Sequence, residues 1–196
     1  MVAFDKGKTF RHDKYDFYKQ GRSETPDELK MQFSVAKDML THMGIKYYEI
    51  DNYEADDIIG TFALYCEKDP EFEGLIISSD KDLLQLITEQ VHIKLLKQKD
   101  YIYYDPISFK NDYQIDPINI IDLKALMGDS SDNIPGVKGI GEKTALKLLV
   151  EYKNLDKLSI SLPAKPSKRF VACVIDMVIV FFVSIVVFSG IFRIVE

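Results

Sequence analysis

Residues 75–86, LIISSDKDLLQL, decide the fold. The apolar run Leu75-Ile76-Ile77 predicts a short buried strand that ends at Ser78-Ser79-Asp80. Asp80 and Asp82 therefore sit where a strand gives way to the next element. The same arrangement recurs upstream. An apolar strand at 2–4 closes on Asp5, and a second strand at 47–50 leads into Glu54, Asp56 and Asp57 at the start of a helix over 55–66. Ile58, Ile59, Phe62 and Ala63 share one side of that helix. Between the first two strands the sequence predicts another helix, with Thr25 as N-cap, Pro26 at the first helical position and Glu28 completing a capping box. Leu29, Phe33, Ala36, Leu40 and Met43 follow at helical spacing, and Gly44 supplies the stop. Segments 91–96 and 101–104 read as a further pair of strands, and from Pro117 the pattern is helical, broken by a loop over 128–141. Short apolar strands alternating with helices predict an α/β fold, a mostly parallel sheet flanked by helices on both faces.

The acids gather where ligands bind in an open α/β sheet, at the carboxyl ends of strands. Asp129 and Asp132 add two more in a Gly/Ser loop. So many carboxylates in one place repel one another unless cations neutralise them. Hard divalent ions such as Mg²⁺ or Mn²⁺ are suited to oxygen donors, and two of them about 4 Å apart can promote phosphodiester cleavage. Each cluster also has a plainer explanation. Glu54, Asp56 and Asp57 suit a helix N-terminus, Asp80 and Asp82 suit a turn and cap, and Asp129 and Asp132 suit a loop. By spacing alone the two explanations stand level.

Composition sets the outer limits. The chain has 196 residues, 46% of them hydrophobic and 29% charged, which excludes a disordered chain. Its net charge is −6, yet residues 1–22 hold Lys6, Lys8, Arg11, Lys14, Lys19 and Arg22 against Asp5, Asp13 and Asp16, a local excess of cations. Cys66 and Cys173 have no metal-ligand spacing and cannot form a disulfide framework, which fits a reducing cytoplasmic location. Met1 to Phe4 is too short for a signal peptide.

Four strings taken together carry more than any one. FDKGKTFRHDKYDFYKQGR (4–22), YEADDIIG (53–60), SSDKDLLQL (78–86) and MGDSSDNIPGVKGIGEKTA (127–145) resemble, in order and spacing, the 5′ nuclease domain of bacterial DNA polymerase I and its stand-alone exonuclease relatives, over residues 2–158. The resemblance implies a PIN-like nuclease fold over 1–115 and a helix–three-turn–helix DNA-binding region over 116–158. It implies a metal-dependent 5′→3′ exonuclease and flap endonuclease acting on DNA with 5′ flaps, nicks or ends and on RNA primers, in replication and repair, as a monomer. Asp5, Glu54, Asp56, Asp80, Asp82 and Asp132 match the family's metal ligands, with Asp57 and Asp129 as supporting acids and two Mg²⁺ or Mn²⁺ ions expected. Lys19 and Arg22 match the pair that clamps the scissile phosphate. Tyr18 suits stacking on an unpaired base, and Arg11 and His12 belong to the same basic stretch. Lys138, Gly139, Gly141, Lys143 and Thr144 match the element that grips duplex phosphates, where K⁺ binds in the family.

Two departures go with this resemblance. The family begins with an earlier strand and aspartate, upstream of Asp5, so the literal chain also reads as a catalytically impaired, truncated or fused DNA-binding remnant. After 158, residues 159–169 (SISLPAKPSKR) read as a linker. Residues 170–195 read as a transmembrane helix preceded by Lys165, Lys168 and Arg169, which would place the nuclease on the cytoplasmic side. KRFVACVIDMVIV also resembles the opening of the RDD family of membrane proteins.

Overall fold

The computed structural model describes residues 1–161. They divide into two compact units, residues 1–59 with 130–134, and residues 60–129 with 135 onward.

In the first unit β1 (Val2–Ala3) runs parallel to β2 (Tyr47–Tyr48), with Val2 opposite Tyr47. Phe4 N–H extends the pairing by donating to the Tyr48 carbonyl at 2.9 Å. This fixes the direction in which the chain leaves at Asp5. A short helix α1 (Phe10–Lys14) follows, then α2 (Asp27–His42). Helix α2 starts one residue later than its capping pattern suggests. Pro26 is the N-cap, its carbonyl accepts from Leu29 and Lys30, and no side chain caps the helix, so the Thr25–Glu28 box does not form. At the far end Gly44, at φ +70°, donates to Thr41 while Ile45 donates to Leu40. That left-handed stop is the one the glycine predicts. Helix α2 buries none of its residues, and Leu29 and Phe33 of its apolar stripe stay exposed. Phe33 does meet the ring of Phe4 edge-on at 6.3 Å.

Helix α3 (Ala55–Lys68) begins in the first unit. In the second, β3 (Gly74–Ser78) is parallel to β4 (Val91–Lys97), and β4 is antiparallel to β5 (Asp100–Tyr104). Strand β4 alternates cleanly: Val91, Ile93 and Leu95 are buried, worth about 1.5–3 kcal/mol each. Strand β3 departs from the expectation of a strand covered on both faces. It ends the described three-stranded sheet and leaves one face open, with Leu75 51% and Ile77 62% exposed. Helix α4 (Pro106–Tyr113) has no counterpart in the apolar pattern. Local chemistry starts it, through a capping box between Asp105 and Ser108 and a proline in the first turn. Phe109 is fully buried and stacks on Tyr113 at 4.6 Å. The remaining helices are α5 (Ile120–Met127), α6 (Glu142–Tyr152) and α7 (Leu155–Ser161), with Leu123, Leu126, Ala145, Leu149 and Leu158 buried among them.

Helix α7 reaches Ser161, three residues into the stretch read as a linker, because the helical run from Leu155 does not stop at Leu158. The remainder of that stretch, the membrane-spanning reading of 170–195 and the RDD resemblance fall outside the described residues. Among the described residues no helix is long and apolar enough to cross a membrane.

Candidate active site

The first unit gathers its acids around the start of α3. Asp5, leaving β1, accepts from the Ala55 N–H at 2.7 Å, although the two residues are fifty apart in sequence. The first-strand carboxylate is thereby fixed beside the turn that bears Glu54 and Asp56. Asp5 and Asp56 are exposed, whereas Glu54 and Asp57 are buried.

A buried carboxylate needs partners, and the basic stretch supplies them. Arg11 grips Asp57 through both guanidinium nitrogens, each at 2.7 Å, and lies 3.6 Å from Glu54. Burial alone would lower the Arg11 guanidinium, but Asp57 and Glu54 hold it above its ordinary range. Asp57 also accepts from the Glu54 N–H at 2.9 Å, capping α3. Tyr18 donates to Glu54 at 2.9 Å and lies 3.4 Å from Asp132, while Lys19 Nζ reaches Glu54 at 2.7 Å. Burial, then the charges of Glu54 and Asp132, push the Tyr18 phenol far above its usual range, so it stays a donor.

Two sequence expectations change here. Arg11 is 3% and Tyr18 4% exposed, so neither presents a surface to DNA. Arg11 is spent on the charge of Asp57 and Glu54, and Tyr18 on a hydrogen bond to Glu54. Asp57 is likewise tied to Arg11 and the helix cap. Lys19 is bound to an acid, with its backbone at φ +53° and its N–H held by the Asp132 carbonyl at 3.0 Å. A left-handed lysine is strained by about 1–2 kcal/mol, so the surrounding contacts determine this conformation. Arg22 is exposed.

The second unit holds the other acids. Asp80 caps the short 3-10 helix Lys81–Leu86 by accepting from the Asp82 N–H at 2.8 Å. Lys124 of α5, which the sequence reading overlooked, places Nζ 2.6 Å from Asp82 Oδ1 and 2.6 Å from Asp129 Oδ2. Its position five residues before Asp129 was the available signal. Burial holds the Asp82 carboxyl above the usual range; Lys124 offsets part of this, and the charges of Asp80 and Asp129 add to it. Burial works against the Lys124 charge, yet the two carboxylates raise its pKa above the ordinary lysine value.

The loop before α6 has a different design. Gly136 lies so close to the end of α5 that a Cβ there would fall 2.2 Å from the Met127 carbonyl carbon. Gly139 sits at φ +85°, and Gly141 caps α6 without any side-chain bond. Lys138, Gly139, Gly141, Lys143 and Thr144 are all exposed at this helix start. Backbone N–H groups of a helix N-terminus beside two lysines suit a phosphate.

Comparison with known proteins agrees with these features. The family described as 5′-3′ exonuclease, N-terminal resolvase-like domain, matches residues 1–114, and its C-terminal SAM fold partner matches residues 115–173. The chain belongs to the 5′-3′ exonuclease family. The second match extends past residue 158, where the motif resemblance ends. The DNA polymerase I of Bacillus subtilis (strain 168) is 47% identical over 172 residues, 86% of this chain and 19% of the polymerase. A 5′-3′ exonuclease of the same organism is 44% identical over 170 residues, 85% of this chain and 56% of that protein. The chain thus spans about one fifth and just over half of these relatives. Among solved structures, a bacteriophage T5 flap endonuclease in a pseudo-enzyme–product complex with DNA and metal ions aligns with TM-score 0.67 at 25% identity, covering 95% of this chain and 72% of the phage chain.

For an exonuclease-family chain the donor chemistry fits a hard divalent cation, since every acid here offers oxygen. A buried oxygen makes the point locally. Asp82 Oδ1 makes no aligned hydrogen bond, and what it faces is a cation, the Lys124 ammonium. Among the described residues no three acids stand close enough to hold an ion as they are placed. In this arrangement Lys19, Arg11 and Lys124 neutralise them instead.

Proposed function

We propose that this chain is a divalent-metal-dependent 5′→3′ exonuclease with flap endonuclease activity, hydrolysing DNA phosphodiesters near single-strand/duplex junctions and removing flaps and RNA primers. The observation that carries the proposal is the Asp5–Ala55 hydrogen bond, which brings the strand-end carboxylate to the helix turn bearing Glu54 and Asp56. Asp5, Glu54, Asp56 and Asp132 in the first unit, and Asp80, Asp82 and Asp129 in the second, are the residues that would hold Mg²⁺ or Mn²⁺. Such ions supply Lewis acidity toward a phosphate and an acidified water. Lys19 and Arg22 meet the scissile phosphate and stabilise its added negative charge. For Lys19 this requires exchanging the Glu54 carboxylate for phosphate oxygen, a swap between two anions that an ammonium makes readily.

The start of α6, with Lys138, Gly139, Gly141, Lys143 and Thr144, grips duplex phosphates without reading bases, and K⁺ in the preceding loop belongs to the same proposal. Binding is then selective for structure rather than sequence and weakens steeply with salt. The nuclease region would work as a cytoplasmic monomer.

Cleavage of a 5′-labelled flap substrate by the full chain, with Mg²⁺ or Mn²⁺ against EDTA, tests the proposal. Metal-dependent cutting that Asp80→Ala abolishes is expected. A folded protein that binds the flap but leaves it intact overturns the enzymatic reading in favour of a DNA-binding role.

A further inference from the structure

Lys124 is out of place by charge accounting alone. It lies on α5, whose neighbouring Leu123, Ala125 and Leu126 are buried, and its ammonium meets an acidic cluster. Its ammonium stands 2.6 Å from a carboxylate oxygen of Asp82 and 2.6 Å from one of Asp129, residues 47 positions apart. Asp80, whose carboxylate caps the Asp82 turn, adds a third negative charge nearby. Without a cation between them, Asp82 and Asp129 would repel each other in a partly buried setting. A single positive centre touching two carboxylates is also the arrangement that a divalent ion makes with the same oxygens.

We propose that Lys124 is a positioning residue, a resident counter-cation that holds Asp82 and Asp129 together before a divalent ion arrives and competes with that ion for their oxygens. This rests on the metal-dependent reading above. It separates two properties. Lys124 stabilises the metal-free fold, and it lowers metal affinity, because an ammonium must withdraw before two carboxylates can turn to a divalent cation. Stability and affinity should therefore move in opposite directions when the charge is removed.

The test compares wild type, Lys124→Met and Lys124→Arg as full-length chains. Mn²⁺ affinity is read by calorimetry, and the unfolding midpoint is measured in EDTA and in saturating Mn²⁺. Lys124→Met is expected to unfold earlier than wild type in EDTA, to recover most of the difference in Mn²⁺, and to bind Mn²⁺ on the order of tenfold more tightly. Lys124→Arg, which keeps the charge, should stay near wild type on both measures. If Lys124→Met does not fold even with Mn²⁺, Lys124→Gln is measured in its place under the same expectation.

In an Asp82→Asn background the affinity gain from Lys124→Met should shrink, because one of the competed oxygens has lost its charge. Unchanged or weaker Mn²⁺ binding by the neutral variants overturns this inference and leaves the metal-dependent reading standing. Wild type that binds no Mn²⁺ overturns both.

Discussion

Arg11 and Asp57 meet in a buried, two-pronged ion pair, Nη1 to Oδ2 and Nη2 to Oδ1, both at 2.7 Å, across 46 residues of sequence. The pair joins helix α1 to the first turn of α3, and Asp57 completes that turn by accepting the Glu54 N–H. Removing one partner strands the other charge in a site with almost no solvent. Arg11→Met should therefore cost about 3–5 kcal/mol, as is usual when a buried pair is broken from one side. Arg11→Met combined with Asp57→Asn, which keeps an acceptor for the helix cap, should cost clearly less than the single change added to Asp57→Asn alone. Urea unfolding of the four proteins measures this coupling. Additive losses would show that the pair carries no interaction energy of its own.

That pair also marks where the sequence stops being legible. Strands near 2–4, 47–50 and 75–77, which the structure forms as Val2–Ala3, Tyr47–Tyr48 and Gly74–Ser78, and the helix stop at Gly44 follow from patterns a few residues long. Arg11 reads as DNA-facing because the stretch around it is basic, and Tyr18 because the resemblance suits it to stacking on a base. They face inward because Asp57 needs a counter-charge and Glu54 a hydrogen-bond donor, both far along the chain. Lys124 was missed for the same reason, since nothing within one turn announces a partner at Asp82. Helix α4 was missed for the opposite reason. Its start depends on Asp105 and Ser108 capping each other, while its apolar pattern is weak.

Asp122 gives a pH dependence of known sign. Burial holds its carboxyl above the ordinary aspartate range; Asn119 and the Leu155 N–H pull it back, and Asp156 pushes it further up. A group that keeps its proton more tightly when folded contributes stability at low pH, and this is lost as pH rises from the ordinary value through the raised one. Asp122→Asn keeps an acceptor for Asn119 and removes the charge. Its stability relative to wild type should climb across that window and level off above it. The gain should be small, because the group is partly screened by solvent. Urea midpoints from pH 3.5 to about 7 follow this difference. A difference that stays flat with pH would mean that Asp122 titrates alike in both states.

Gly136 and Gly141 make the sharpest contrast in the loop before α6. A methyl group at Gly136 would lie 2.2 Å from the Met127 carbonyl carbon and 2.3 Å from the Gly128 nitrogen, both backbone atoms that cannot step aside. The neighbouring Val137 N–H donates to the Leu126 carbonyl at 2.8 Å, so any shift that relieves the clash also loosens the seam between loop and helix α5. Gly136→Ala should cost about 3 kcal/mol or more, at the upper end for overpacking. At Gly141 the φ of −100° suits any residue and the added carbon would meet nothing within 4 Å. Gly141→Ala should hold its stability within about 1 kcal/mol, the loss reflecting alanine's poor fit to an N-cap. If this loop grips duplex DNA, the two changes also part in binding. Gly141→Ala crowds the helix start where a phosphate would approach, weakening DNA affinity in a protein of near-normal stability. Thermal unfolding and fluorescence anisotropy with a labelled duplex separate these effects. Full affinity in a stable Gly141→Ala protein would remove the start of α6 as the phosphate-binding element.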